Sequence, residues 1–202
     1  MRTLIVGMLT LAAVTATGCP TRGEKKGAGD TKSWVKTLRT AQTAAAREKA
    51  LLALDRLHGQ LQASNGPQRK QRLTQFRRLV NPALVEVFRK KVKGQYVSPY
   101  PLLSQLVAFE ADIPEARALY LEIVNAHAAG REEAYGDEVS QVSLTVMALD
   151  GLAGQARRGK APAEGIQALT KLAAAICKPG GARKLDRTSE VRWALVDAAR
   201  PY

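Results

Sequence analysis

The sequence predicts an all-α protein of stacked antiparallel helix pairs, and three observations lead to this fold class. Alanine (33 of 202 residues) and leucine (24) dominate, and both are strong helix formers. Apolar residues recur at steps of three and four, as in Val139, Val142, Val146, Leu149 and Ala153, and no segment keeps the alternation of a strand. Glycine and proline clusters separate the apolar stripes, so we expect about nine helices of roughly 10–20 residues.

Six segments of the chain have an apolar stripe with this spacing. A stripe of this kind indicates a helix that packs one face against its neighbours. In chain order, the other stripes are Ala50-Leu54-Leu57-Leu61, Leu73-Phe76-Val80, Ala116-Tyr120-Ile123-His127, Ile166-Leu169-Ala173-Ile176 and Val191-Ala194-Leu195-Ala198.

Prolines are expected to mark helix starts, because proline fits the first turn of a helix and disfavours continuation from the turn before. Pro82 and Pro114 therefore predict breaks within helix pairs.

The breakers also recur at a regular interval. Starting points near Ser33, Pro67, Pro101 and Gly136 are 34, 34 and 35 residues apart. This period predicts an α-solenoid, in which each helix pair covers the apolar face of the next. A compact, irregular helical bundle is the alternative.

Residues 1–18 have the composition of a secretory signal peptide. Arg2 supplies a short basic start, and the 13 residues from Leu4 to Ala16 are uncharged and predominantly apolar. This stretch is shorter than the ~20 residues that a membrane-spanning helix needs, but it fits the hydrophobic region of a signal. We therefore expect residues 1–18 to be cleaved.

The signal ends in Ala16-Thr17-Gly18-Cys19, which resembles the lipobox of bacterial lipoproteins, although Ala16 stands where leucine is usual. The resemblance implies cleavage after Gly18 and a Cys19 that carries a thioether-linked diacylglycerol and an N-acyl chain such as palmitate. Several acyl chains bind a membrane stably, since each buried methylene contributes roughly 0.8 kcal/mol. The alternatives are an ordinary signal peptide with an incidental cysteine and an uncleaved anchor.

A flexible tether is expected at residues 19–31, between the lipid and the fold. Pro20 to Thr31 contains three glycines, one proline and no large apolar residue. Residues 32–202 then form the helical-repeat domain. The lipobox implies a protein anchored in the bacterial cell envelope and facing the periplasm, on either the inner or the outer membrane.

Two segments resemble the second helix of a HEAT repeat. Residues 47–57 read REKALLALDRL and residues 190–200 read EVRWALVDAAR. Trp34-Val35-Lys36 resembles the start of such a repeat in bacterial HEAT-repeat lipoproteins. The resemblance implies an armadillo-like helical scaffold that binds proteins, and it implies either a capping last helix or a natural chain that continues beyond Tyr202. The Trp, Leu-Gly, Tyr and Pro signature of the tetratricopeptide repeat, another helix-pair family, is not found at its spacing in this sequence.

Residues 66–94 form the most basic part of the chain, with nine cations against the single acid Glu86. A solvated face is one interpretation. The functional interpretation is contact with anionic headgroups, an envelope polymer or an acidic partner, because clustered Lys and Arg each contribute about 1 kcal/mol near an anionic membrane. Export argues against nucleic acid as the partner. The predicted basic face consists of Arg69, Lys70, Arg72, Arg77, Arg78, Arg89, Lys90, Lys91 and Lys93.

No residue pattern predicts catalysis, a cofactor or a metal. Ser33 and Lys36 match the Ser-x-x-Lys string of penicillin-binding enzymes without its companion strings, so Ser33 is expected to cap the first helix. Residues 154–161 approach a phosphate-binding loop but lack its final Ser or Thr, so we expect a basic loop between helices. His58 and His127 are far apart in sequence and are expected to pack or cap rather than to bind metal.

Cys177 is the only cysteine besides Cys19. It follows an apolar run, so we expect it to be a buried small apolar residue; the alternative is an intermolecular disulfide.

These observations predict a lipid-anchored envelope lipoprotein that is not an enzyme and whose helical repeats bind a protein partner. The first alternative is a basic module that binds anionic lipid or envelope polymer through residues 66–94. The second is an envelope hydrolase, which would need a nucleophile, a metal site or a carboxylate pair.

Overall fold

A computed structural model describes residues 24–90, 99–131, 138–161, 163–178 and 189–202, and within these ranges every regular element is a helix. No helix in this part of the chain combines the length and the apolar character that crossing a membrane requires. The predicted signal, Cys19 and residues 20–23 lie outside the described residues. The eight helices are α1 (Glu24–Thr40), α2 (Ala44–Ala63), α3 (Arg69–Arg89), α4 (Tyr100–Ala108), α5 (Pro114–Ala128), α6 (Glu138–Arg157), α7 (Ala163–Ile176) and α8 (Ser189–Ala199).

The helices contact one another in an alternating order. The odd-numbered helices form one series, in which α1 packs against α3, α3 against α5 and α5 against α7. The even-numbered helices form a second series from α2 through α4 and α6 to α8. Each odd-numbered helix also packs against the even-numbered helix that follows it.

One continuous apolar core runs through all eight helices. Leu38 of α1, Leu84 of α3, Tyr120 of α5 and Leu149 of α6 are almost completely buried in it, and Val191 of α8 belongs to the same cluster. Fully burying a side chain of this size contributes about 1.5–3 kcal/mol, so packing rather than helix propensity stabilises the arrangement.

The predicted period of 34 residues is wrong. Helices α1, α3, α5 and α7 begin at residues 24, 69, 114 and 163, so successive odd-numbered helices begin 45, 45 and 49 residues apart. Of the breakers that suggested the shorter period, Pro67 precedes α3, Pro101 lies in α4 and Gly136 precedes α6. The breakers therefore pass from odd-numbered helices to even-numbered helices, so the 34-residue interval does not measure the length of one repeat.

Pro82 does not break a helix, contrary to the prediction, and lies in the interior of α3. Proline has no N–H, so Pro82 cannot donate the helical hydrogen bond to the carbonyl of Arg78, at a cost of ~3 kcal/mol. Val80, Ala83 and Leu84 are fully buried around it, and their burial offsets that cost. The segments before and after Pro82, which we expected to form two helices, therefore form one continuous helix. Pro114 does begin a helix, as predicted.

The first helix begins at Glu24, eight residues before the predicted domain boundary at Lys32. Residues 24–31, which we expected within the flexible tether, are helical, and Thr31 is already buried. Ser33 is consequently inside α1 and does not cap it. Its carbonyl accepts a hydrogen bond from the Thr37 hydroxyl at 3.1 Å.

The prediction for α7 is only partly right, and the one for the residue after it is wrong. Leu169 and Ile176 of the predicted stripe are buried, but Ile166 is 49% exposed, and the buried face runs through Gly165 and Leu172 instead. On this buried face, the ring of Tyr202 occupies the space that a Cβ at Gly165 would need. Cys177 is exposed rather than buried, since α7 ends at Ile176.

Candidate functional site

Within the described residues, the predicted basic face follows a single helix, α3. Of its nine residues, Lys91 and Lys93 lie outside the described residues. The other seven lie on α3 or, for Lys90, directly after it: Arg69, Lys70, Arg72, Arg77, Arg78, Arg89 and Lys90.

Three of these cations bind carboxylates. Arg77 pairs with Glu110 at 2.8 Å and Arg89 with Glu122 of α5 at 3.4 Å. Lys90 pairs with Glu86 at 2.6 Å, one turn back on α3. These ion pairs are partly exposed, so each stabilises the fold only slightly. The predicted face is therefore divided into a neutralised part and a part that keeps its charge.

The first two cations of α3 keep their charge, since neither Arg69 nor Lys70 has an ion pair within the described residues. Arg69 and Lys70 are exposed, and the first turn contains no acidic residue. Arg72 reaches the side-chain oxygen of Gln68 at 3.4 Å. Cations near a helix N-terminus oppose the helix dipole, at a cost of about 0.3–1 kcal/mol each. Helix stability thus gives no reason for these charges.

A groove between α1 and α3 combines positive charge with apolar surface, and we call it the α1–α3 groove. Its volume is about 440 Å³. Val35, Leu79 and Pro82 provide its apolar surface. The complete lining consists of Lys32, Val35, Lys36, Arg39, Thr40, Arg78, Leu79 and Pro82.

The charges of the α1–α3 groove are incompletely neutralised. Arg39 binds Glu86 through Nε at 2.8 Å. The hydrogen bond from Lys90 to Glu86 is the largest cause that lowers the pKa of this carboxyl, and Arg39 adds to it. Lys32, Lys36 and Arg78 are exposed and have no ion pair within the described residues.

Only Arg78 of this groove belongs to the basic face predicted from the sequence. Lys32, Lys36 and Arg39 were missed, although they share one face of α1 because they are four and three residues apart. That spacing can be recognised in the sequence. The position of these cations opposite Arg78 cannot, because it depends on how α1 packs against α3.

A second groove lies beside α1, where it packs against α2. Its volume is about 350 Å³, and Trp34, Leu52 and Ala53 supply apolar surface beside Glu48 and Lys49. Leu52 is 53% exposed. Its lining includes the acid Glu48 as well as Lys49 and Arg56, whereas every charged residue that lines the α1–α3 groove is a cation.

The patterns that resembled catalytic motifs have structural roles. Gly159, with φ +75°, follows the end of α6 within the segment that resembled a phosphate-binding loop. Positive φ is the conformation that glycine permits after a helix end. Lys160 pairs with Asp112 at 2.7 Å. In the parts of the chain that the structure describes, no group of three or more His, Cys, Asp or Glu residues is placed to hold a metal ion.

His58 is packed among aromatic rings. Its ring centroid lies 5.5 Å from that of Phe76 and 4.6 Å from that of Phe109. Burial is the largest cause that lowers the pKa of His58; Arg77 lowers it further, whereas Asp55 and Glu110 oppose the shift. The ring therefore behaves as a neutral part of the core.

In the part of the chain that the structure describes, the α1–α3 groove is a surface that combines clustered positive charge with apolar side chains. No protein-family profile, curated protein or solved structure matches this chain.

Proposed function

We propose that this protein is a lipid-anchored lipoprotein of the bacterial envelope whose HEAT-like helical repeats act as a protein-binding scaffold. The observation that carries the proposal is the alternating packing of odd- and even-numbered helices in two series. Stacked helix pairs produce this pattern, since each pair contacts only its neighbours. Extended surfaces made by such stacks are suited to binding other proteins.

The spacing of the helices supports the HEAT-like assignment. Odd-numbered helices begin 45, 45 and 49 residues apart, near the ≈ 40–47 residues of HEAT and armadillo repeats. A tetratricopeptide repeat is shorter, at about 34 residues.

The lipid anchor is tested by the intact mass of the protein purified from the membrane fraction of a bacterial host. We expect a chain that begins at Cys19 and carries the added mass of a diacylglycerol and an acyl group. A Cys19→Ser variant should lack that mass and leave the membrane fraction. An unmodified Cys19 in the mature protein would contradict the anchor.

The scaffold role is tested by cross-linking in cells. Photo-reactive residues introduced at Lys36 in the α1–α3 groove, Leu52 in the second groove and Lys171 on α7 would sample three surfaces. We expect one of these positions to capture a single defined protein. Capture of only random neighbours from all three positions would contradict the proposal.

A second candidate function is binding to anionic lipid or envelope polymer through residues 66–94. The acid-free first turn of α3, with Arg69 and Lys70 exposed, favours it. Vesicles of phosphatidylglycerol and phosphatidylcholine provide the test, with the unacylated Cys19→Ser protein as the starting chain. Arg69→Glu with Lys70→Glu should reduce salt-sensitive vesicle binding by about tenfold. Binding that is insensitive to these changes and to salt would rule this candidate out.

A further inference from the structure

We infer that the α1–α3 groove binds an acidic, amphipathic peptide segment of a partner protein. This inference rests on the proposed scaffold function and names the chemistry of its ligand. The groove has cations on both walls and apolar side chains between them, so its ligand should carry negative charge and at least one apolar side chain.

The shape and size of the groove fit such a segment. Its volume of about 440 Å³ leaves room for apolar side chains of the peptide, while the backbone of the peptide would lie along the surface of the groove. Leu79 is 36% exposed, so an inserted apolar side chain could still bury it, whereas Val35 is only 6% exposed. The apolar contact therefore centres on Leu79 and Pro82.

The charges of the groove match the repeat of a helix. Lys32, Lys36 and Arg39 are separated by four and three residues along one face of α1, over about 10 Å at 1.5 Å per residue. A partner helix with acidic residues at the same spacing would place its carboxylates opposite these cations. Arg78 supplies a cation from the other wall.

Three of the four cations that line the groove are available to a partner. Lys32, Lys36 and Arg78 have no ion pair within the described residues, so a partner need not displace a carboxylate to reach them. Arg39 differs, because Glu86 holds its guanidinium at 2.8 Å.

The concave form of the site favours a peptide over a bilayer surface. The headgroup plane of a bilayer is flat over the width of two helices, so it could meet the exposed cations without filling the space above Leu79 and Pro82. A peptide side chain can enter that space. Charge attraction alone would bring a membrane to the site, whereas binding that also depends on Leu79 requires an inserted apolar group.

Titration of a fluorescent peptide made of glutamate and leucine at helical spacing tests the inference on the full-length chain. We expect saturable binding that weakens with salt and is lost when the order of residues is scrambled. Lys32→Glu with Lys36→Glu should weaken binding by about tenfold or more. Lys171→Glu with Arg192→Glu, which changes the net charge equally on the exposed surfaces of α7 and α8, is the matched control and should change binding by less than about twofold.

A Leu79→Ser variant separates the apolar contribution from the charge. It leaves every cation in place, and we expect it to weaken peptide binding by about fivefold or more. Circular dichroism of all variants should show unchanged helix content, which excludes unfolding as the cause.

Three outcomes would overturn the inference: equal binding of the scrambled peptide, equal weakening by both double charge reversals, or binding to phosphatidylglycerol vesicles without binding to the peptide. The scaffold proposal would survive such a failure if cross-linking at Leu52 or Lys171 captured one defined protein. It would fail together with the inference if no position did.

Discussion

Gly151 of α6 lies directly against the ring of Tyr120 of α5, and a Cβ at position 151 would be 2.5 Å from Cε2 of that ring. Tyr120 is completely buried, so its ring can make room only by displacing packed neighbours. This close approach lets α5 and α6 pack against each other.

Gly151→Ala should therefore destabilise the protein. Overpacking a rigid site costs up to about 3 kcal/mol, and the gain in helix propensity returns about 1, so we expect a net loss of about 2 kcal/mol in the free energy of unfolding. Gly59→Ala in α2 is the control, because nothing lies within 4 Å of the position that its Cβ would occupy. It should stabilise by up to about 1 kcal/mol in the same urea titration. Equal stability of the two variants would contradict the prediction.

Gln155 joins helix α6 to the segment between α4 and α5. Its Nε2 donates to the carbonyl of Ala111 at 2.9 Å, and its Oε1 accepts from Arg117 at 3.3 Å. Gln155→Ala should cost about 1–3 kcal/mol, because a buried carbonyl loses its donor. The exposed Gln167→Ala in α7 should change stability by less than about 0.5 kcal/mol. Chemical denaturation compares the two variants, and a neutral Gln155→Ala would refute this role.

Pro82 should reduce the stability of the fold that contains it. Pro82→Ala restores an N–H that can donate to the carbonyl of Arg78, and it removes the proline ring from the helix interior. The gain of up to ~3 kcal/mol is reduced by the larger entropy of the unfolded chain, so we expect stabilisation of about 2 kcal/mol in a denaturant titration. Pro67→Ala, in the turn before α3, should not stabilise. A destabilised Pro82→Ala would show that the ring itself is needed for packing.

His58 should make the protein less stable in mild acid. Its pKa in the fold lies below the ordinary value of 6.5, so between the two values the unfolded chain binds a proton that the folded chain does not. Stability is therefore retained above pH 6.5 and declines as the pH falls below it. Urea midpoints between about pH 7.5 and pH 5.5 measure this decline. His58→Gln should flatten it, and an unchanged decline in that variant would assign it to another group.

Cys177 should react in the native state. Its exposure predicts that a maleimide labels it without denaturant, and peptide mass mapping can distinguish it from Cys19. A Cys177→Ser variant serves as the control for the mapped peptide. Protection of Cys177 until the protein unfolds would mean that it is covered, as its apolar sequence neighbours predict.

The helical character of the chain could be read from its residues, because the apolar spacing and residue propensities that indicate a helix are local features of the sequence. The apolar stripe through Ala116, Tyr120 and Ile123 is buried as predicted, and Pro114 begins α5 because proline suits a first helical turn. The α-helical class is therefore confirmed. The signal, the acylated Cys19 and the protein partner stay predictions of the sequence.

Packing between distant segments determined the structural features that local sequence patterns could not predict. Whether Pro82 ends a helix depends on the burial around it, and the close approach of Tyr202 to Gly165 joins residues far apart along the chain. The α1–α3 groove also depends on packing between distant segments. Lys32 and Lys36 are an ordinary exposed pair in the sequence, and they become one wall of a groove only because α1 packs against the helix that carries Arg78.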